Sequence, residues 1–96
     1  MEIKNIEQAA IPDFEKQLQL ENVKYLTLCT EEGIIAYLAG IDSDLDNEID
    51  VHYSFREDFN EPVAKQMYAS FITQNISEDI TFSPKSEKEE QFIELL

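Results

Sequence analysis

The side chains of this chain that could do chemistry are few, and most of them are carboxylates. Residues 42–61 carry Asp42, Asp44, Asp46, Glu48, Asp50, Glu57, Asp58 and Glu61 against a single base, Arg56. Acids spaced along a strand and a loop imitate the phosphate spacing of a nucleic-acid backbone, and such an array attracts basic surfaces over a long range. These eight acids are the expected partner-binding residues, and the expected partner is a basic protein surface, for example that of a nucleic-acid-handling protein. Asp42, Asp44 and Asp46 also form the D-x-D-x-D opening of a calcium loop. Asn47 stands where that loop needs its turn glycine and Tyr53 where it needs a bidentate glutamate, so a solvated hairpin loop is expected and no metal.

His52 lies between Asp50 and Ser54 in an alternating stretch. A histidine near a carboxylate can act as a general base, but no nucleophile or second partner accompanies it, and it reads as a lone surface histidine. Cys29, the one cysteine, excludes an internal disulfide and a cysteine-based metal cluster. Within a β-forming run it reads as a small buried hydrophobe rather than a nucleophile. No catalytic, cofactor-binding or metal-ligating residue is assigned.

The elements that must hold these side chains follow from periodicity and punctuation. Pro12, with Asp13 and Glu15 in the first turn, starts a helix over residues 13–20 that carries Phe14, Leu18 and Leu20. Residues 23–29 are rich in β-formers, and Thr30-Glu31-Glu32-Gly33 turns them into the apolar strand 34–41. Ile49, Val51, Tyr53 and Phe55 then alternate with Asp50, His52, Ser54 and Arg56, describing a strand with one buried and one wet face. Asn60 is the expected N-cap of a helix reaching about residue 74, with Val63, Met67 and Phe71 as its apolar stripe and Ala64, Tyr68 and Ile72 on the flank. Residues 80–83 read as a short strand stopped by Pro84, and Ser86 with Glu89 forms a capping box for a last helix.

Short turns make the first three strands an antiparallel meander, and the helix before the fourth permits a parallel pairing there. The expected class is α/β (α+β): one domain, residues 1–96, with a mixed, mostly antiparallel sheet and flanking helices. A ferredoxin-like two-layer sandwich is the alternative. At 43% apolar residues, with six Phe and four Tyr, a chain of 96 residues can bury a core without staples.

The net charge of −14, from 21 acids against seven Lys and Arg, excludes attraction to DNA, RNA or anionic membranes, because each phosphate contact requires a local cation. No basic segment followed by an apolar run opens the chain, and no segment approaches the length of a membrane span, so a cytoplasmic location is expected.

Several stretches resemble the N-acetyltransferases of the GNAT superfamily. Met1-Glu2-Ile3-Lys4-Asn5-Ile6 followed by Ile11-Pro12-Asp13-Phe14 is similar to that family's first strand and first helix. Tyr25-Leu26-Thr27-Leu28, with Glu31-Glu32-Gly33-Ile34-Ile35-Ala36-Tyr37-Leu38, resembles its second and third strands. Residues 49–55 stand in the place of its fourth strand and residues 63–71 in that of the long following helix. The resemblance implies a GNAT-like fold. In that family the loop before this helix carries Arg/Gln-x-x-Gly-x-Gly/Ala, whose backbone amides hold the pyrophosphate of acetyl-CoA. Here the stretch is Phe59-Asn60-Glu61-Pro62-Val63-Ala64, where only Ala64 fits, Pro62 lacks an N–H, and Glu57, Asp58 and Glu61 repel an anion. No tyrosine stands near Phe92-Ile93 to match the family's general acid, and the chain stops where the family continues.

A degenerate, truncated GNAT-like domain is thus expected, and the balance falls against an enzyme and against any cofactor. The expected function is a non-catalytic acidic binding module, an inhibitor or regulator of the kind that small phage-encoded antagonists such as anti-CRISPR proteins represent. The alternatives are an atypical acetyl-CoA-dependent N-acyltransferase and an antitoxin or immunity protein.

Overall fold

The computed structural model describes residues 2–43, 47–55, 61–74 and 76–82. Their order is β1 (Glu2–Asn5), a 3-10 turn (Gln8–Ala10), α1 (Ile11–Leu18), β2 (Val23–Thr30), β3 (Ile34–Asp42), β4 (Glu48–Phe55), α2 (Glu61–Ile72) and β5 (Asp79–Phe82). Among the described residues the strands form one sheet in the order β1-β2-β3-β4-β5. The first four are antiparallel neighbours and β5 joins β4 in parallel, so the mixed, mostly antiparallel sheet of the α+β class is present. Parallel pairing requires the chain to return to the start of β4, and α2 provides that crossover. The βαββαβ order of a ferredoxin-like sandwich has two strands between its helices; this chain has three, which sets that alternative aside. The helix expected from Ser86, the cap at Asn60, and Phe59 lie outside the described residues.

α1 begins at Ile11, two residues before the expected start, because Pro12 sits inside its first turn. There the fixed φ of proline is helical and its missing N–H has no partner to lose. The helix stops at Leu18 rather than residue 20. Gln19 takes a left-handed conformation (φ 58°, ψ 41°), and its N–H closes on the Glu15 carbonyl. On α2, Val63, Ala64, Met67 and Phe71 are buried, whereas Ile72 is 46% exposed and Tyr68 only borders the core. The apolar stripe is therefore narrower than its sequence flank.

Helices cover opposite faces of the sheet. Under α2 lie Cys29, Ala36, Leu38, Ile49, Val51 and Tyr53. Under α1 lie Val23, Leu26, Leu28 and Ala39, together with Ile11 from the helix itself. Strict alternation would put Val23 and Leu26 on different faces. The β2–β3 register shifts between Val23 and Tyr25, so an extra residue, Lys24, restores both to the α1 side. A second shift, between the pairs Cys29↔Ala36 and Thr30↔Ile34, does the same for Ile34 and Tyr37 on β3. The extra residue there is Ile35, which packs against the α2 core instead.

β3 passes beneath α2 at Gly40. A Cβ built there would meet Ile49 Cδ1 at 3.0 Å, Phe71 Cζ at 3.1 Å and Tyr25 Cδ2 at 3.3 Å. Ile49 and Phe71 are fully buried, so neither can give way without displacing packed neighbours. Gly33, by contrast, has φ +129° and nothing within 4 Å of an added Cβ, so its demand is purely conformational. We expect Gly40→Ala to destabilise by about 1–2 kcal/mol through overpacking. Gly33→Ala is expected to cost about 1–3 kcal/mol through backbone strain. Chemical denaturation measures both, and near-ultraviolet circular dichroism should change only for Gly40→Ala, because only that substitution presses on the Tyr25 and Phe71 rings.

Candidate functional site

The β3–β4 hairpin assembles part of the acidic run. Asp42 ends β3 and is exposed, while Glu48 and Asp50 lie half-buried at the start of β4. Parallel pairing then sets Asp79 of β5 beside Glu48 and Thr81 beside Asp50. Backbone bonds tie the ends of these strands together. The Asp42 N–H donates to the Asn22 carbonyl at 2.8 Å, and the Asp79 N–H donates to the Asn47 carbonyl at 2.8 Å. The Thr81 hydroxyl shares its proton between the Ile49 carbonyl, at 3.0 Å, and an Asp50 carboxylate oxygen. Glu48, Asp50 and Asp79 thus share the α1 face at one end of the sheet, and Asp42, the partner of Ile49, stands at the same end on the other face.

Glu61 is not among them. It opens α2, beyond the far end of β4, whose eight residues separate its two ends by about 23 Å at roughly 3.3 Å per residue. There it pairs with Lys65 at 3.3 Å, both side chains more than half exposed. An exposed i,i+4 pair of this kind contributes only about 0.3–0.5 kcal/mol. Asp44, Asp46, Glu57 and Asp58 lie outside the described residues. The acids expected to act as one face are therefore divided by the length of a strand. Asp79 takes a place beside them that no local pattern announced, since its neighbourhood arises from pairing between residues far apart in the chain.

At the acidic end Lys24 is already engaged. Its Nζ lies 2.7 Å from Glu78 Oε1, and the second carboxylate oxygen of Glu78 accepts a hydrogen bond from the Tyr25 hydroxyl at 2.9 Å. The hydrogen bond from Lys24, then that from Tyr25, holds the Glu78 carboxyl down to about 2 from its ordinary 4.5. Lys24 is correspondingly raised, chiefly by that same hydrogen bond, and burial followed by the bond to Glu78 raises Tyr25. Glu78 precedes β5, yet it reaches β2 across the β3 backbone. Gly40 makes the reach possible, because the Tyr25 ring lies over it, edge-on to Phe71 with centroids 6.4 Å apart and an 80° interplanar angle.

A second polar cluster fastens the other side of the sheet to the end of α2. Fully buried Thr27 donates to Asn5 Oδ1 at 2.7 Å and accepts from Gln74 Nε2 at 3.0 Å. Asn5 in turn donates to the Ser70 carbonyl at 2.9 Å and accepts from the Ser70 hydroxyl at 3.0 Å. Each group is satisfied within the protein, so this cluster positions α2.

Cys29 is fully buried under α2, and burial pushes its thiol pKa up, which suppresses the reactive thiolate. His52 is half-buried and pairs in register with Ala39, on the α1 face. The sheet itself lies between these two side chains, so they form no nucleophile–base pair. Among the described residues no group of three or more His, Cys, Asp and Glu side chains is arranged to hold a metal ion, and no helix is long and apolar enough to cross a membrane. No protein-family model, curated protein or solved structure matches this chain. What the site offers is electrostatic: open carboxylates whose nearby lysine is committed elsewhere.

The Glu78 bridge carries a pH signature. A carboxyl whose folded value lies below its unfolded one stabilises the fold at pH values above 4.5, and that contribution is lost as pH falls toward about 2. Glu78→Gln should therefore lower the thermal midpoint at neutral pH, with the gap to the parent closing between pH 4.5 and about 2. A gap that stays constant across that window would show that the carboxylate's charge is not what Lys24 and Tyr25 hold.

Proposed function

We propose that this chain is a non-catalytic, acidic protein-binding module, an inhibitor or regulator that docks the β3–β4–β5 end of its sheet on a basic protein surface. The observation that carries the reading is the gathering of Asp42, Glu48, Asp50 and Asp79 where Lys24 is spent on Glu78. Carboxylates with no cationic partner among the described residues, on a chain of charge −14, accelerate encounter with cationic partners and repel nucleic acid. A nucleic-acid-handling protein, with a cleft already shaped for a polyanion, is the partner class this supports.

The scaffold is read as GNAT-like. Four antiparallel strands followed by a helix and a parallel fifth strand support that reading, alongside the sequence resemblance. The glycine-poor, acidic stretch that would have to cradle acetyl-CoA supports a binding role over acyl transfer.

A lysine-rich peptide serves as the basic probe, with binding followed by calorimetry at several salt concentrations. Affinity is expected to fall as salt rises, because the Debye length shrinks from about 10 Å at 0.1 M to about 3 Å at 1 M. Joint reversal of Asp42 and Glu48 to lysine should weaken binding by about tenfold or more at low salt, a loss of about 1.4 kcal/mol or greater. Glu61→Lys, at the far end of β4, should have less than about a threefold effect on this lysine probe, because about 20 Å of strand, roughly two Debye lengths at 0.1 M, separates it from Glu48 and Asp79. Equal effects from the two ends would remove the β3–β4–β5 end from the reading, and micromolar acetyl-CoA binding would favour the acyltransferase.

A further inference from the structure

A cleft of about 370 Å³ opens at the opposite end of the same strands, lined by Gln17 and Leu18 of α1, Glu32 of the β2–β3 turn, Ile34 and Tyr37 of β3, and Ser54 of β4. Its size falls within the range of pockets that bury a ligand group. Three features of the fold make it. α1 stops at Leu18 under the left-handed Gln19, so it packs on β2 and leaves the sheet beyond it open. The register shift at Ile35 turns Ile34 to the α1 face, next to Tyr37. Tyr37 and Ser54 are cross-strand partners, which brings the β4 side chain into the same wall. Bulges that re-aim side chains recur beside binding sites.

The lining has a specific chemistry. Leu18, Ile34 and the Tyr37 ring supply apolar walls, Gln17 and Ser54 supply hydrogen-bonding groups, and Glu32 supplies a carboxylate at the rim. Among the described residues none of the lining is basic. The carboxyl-terminal end of α1, whose last turn also carries Lys16, adds the negative end of a helix dipole. An apolar stem ending in a cationic, planar, multiply donating head complements such a cleft, and arginine is the side chain with that form. A tyrosine face can also take a guanidinium by a cation–π contact.

The cleft shares a sheet face with part of the acidic end. Ser54, His52, Asp50 and Glu48 alternate along β4 on the α1 side, with Ser54 at the cleft and Glu48 beside Asp79. Six residues of strand span about 20 Å at roughly 3.3 Å each, the reach of an extended segment of similar length. We propose that the cleft is an anchor site for an arginine side chain of a basic partner, whose extended segment then runs along β4 toward Asp50 and Glu48. This rests on the docking reading above and adds to it a pocket, an anchoring residue type and a direction. Arginine seated in a pocket is a common hot spot of protein interfaces.

The test uses a heptapeptide of six lysines ending in arginine, its twin ending in citrulline (the neutral isostere), and blocked arginine alone, each titrated into the isotopically labelled protein. The arginine peptide is expected to bind at least about fivefold more tightly than the citrulline peptide, a ratio that corresponds to about 1 kcal/mol. It should shift the backbone amides of Gly33, Tyr37 and Ser54 together with those of Glu48 and Asp50. Glu32→Gln, and separately Ser54→Phe, which fills the cleft from an exposed strand position, should abolish the discrimination while leaving the rest of the amide spectrum in place. Equal binding of the two peptides, with shifts confined to the acidic end, would overturn the cleft inference and leave the docking reading standing. Cleft shifts with blocked arginine, but no response of Glu48 or Asp50 to either peptide, would uphold the anchor and overturn the docking reading. Silence to all three probes would overturn both.

Discussion

Tyr25, Ile49 and Phe71 converge over the β3 backbone at Gly40, all within 3.0–3.3 Å of where a side chain would begin. That close approach sets how deeply α2 can seat on the sheet. The depth of α2 in turn fixes the path by which the chain returns to β5, and so the parallel pairing of β5 with β4. Two consequences reach the surface. Asp79 comes to lie beside Glu48, and Glu78 arrives within bonding distance of Lys24 and Tyr25, more than fifty residues earlier in the chain. An acidic surface is thus held in place by an apolar contact with no room to spare, as expected where interiors are packed at crystal-like density.

The charges at this end serve two different ends. Glu78 is internal to the fold: its two oxygens are satisfied by a lysine and a tyrosine, and its ionisation belongs to the stability of the sheet. Among the described residues Asp42, Glu48 and Asp79 contribute charge to the surface without such neutralisation, and Asp50 has a hydroxyl partner in Thr81. Lys24 is raised first by its hydrogen bond to Glu78, with Asp42 acting through space as a lesser cause. The protein therefore separates structural carboxylates from available ones within a few residues of each other.

The register shifts at Lys24 and Ile35 have a comparable reach. Each adds one residue to one strand of a pair and exchanges the faces on either side of it. The first keeps both Val23 and Leu26 beneath α1. The second exposes Tyr37 and Ile34 in the cleft and sends Ile35 to the other core. Neither bulge carries a glycine or another marker by which composition alone would have placed it.

Local periodicity in the sequence determined a great deal about this protein. The alternation from Ile49 to Tyr53 specified a strand with one buried face, the spacing of Val63, Met67 and Phe71 specified an amphipathic helix, and the turn at Gly33 specified the hairpin. These are short-range consequences of side-chain direction, with periods of two and 3.6 residues, and they survive whatever the rest of the chain does. Helix ends were less legible, because Gln19 terminates α1 through a left-handed backbone that its residue type does not favour. The total charge was equally plain, but its arrangement was not. Acids of one sequence run, such as Glu48 and Glu61, are parted by the length of β4, while Glu48 and Asp79, farther apart in sequence, become neighbours. Only the tertiary structure decided which carboxylates share a surface and which lysine is spent, because strand register and the α2 crossover are settled by packing across the whole sheet rather than by any window of neighbouring residues.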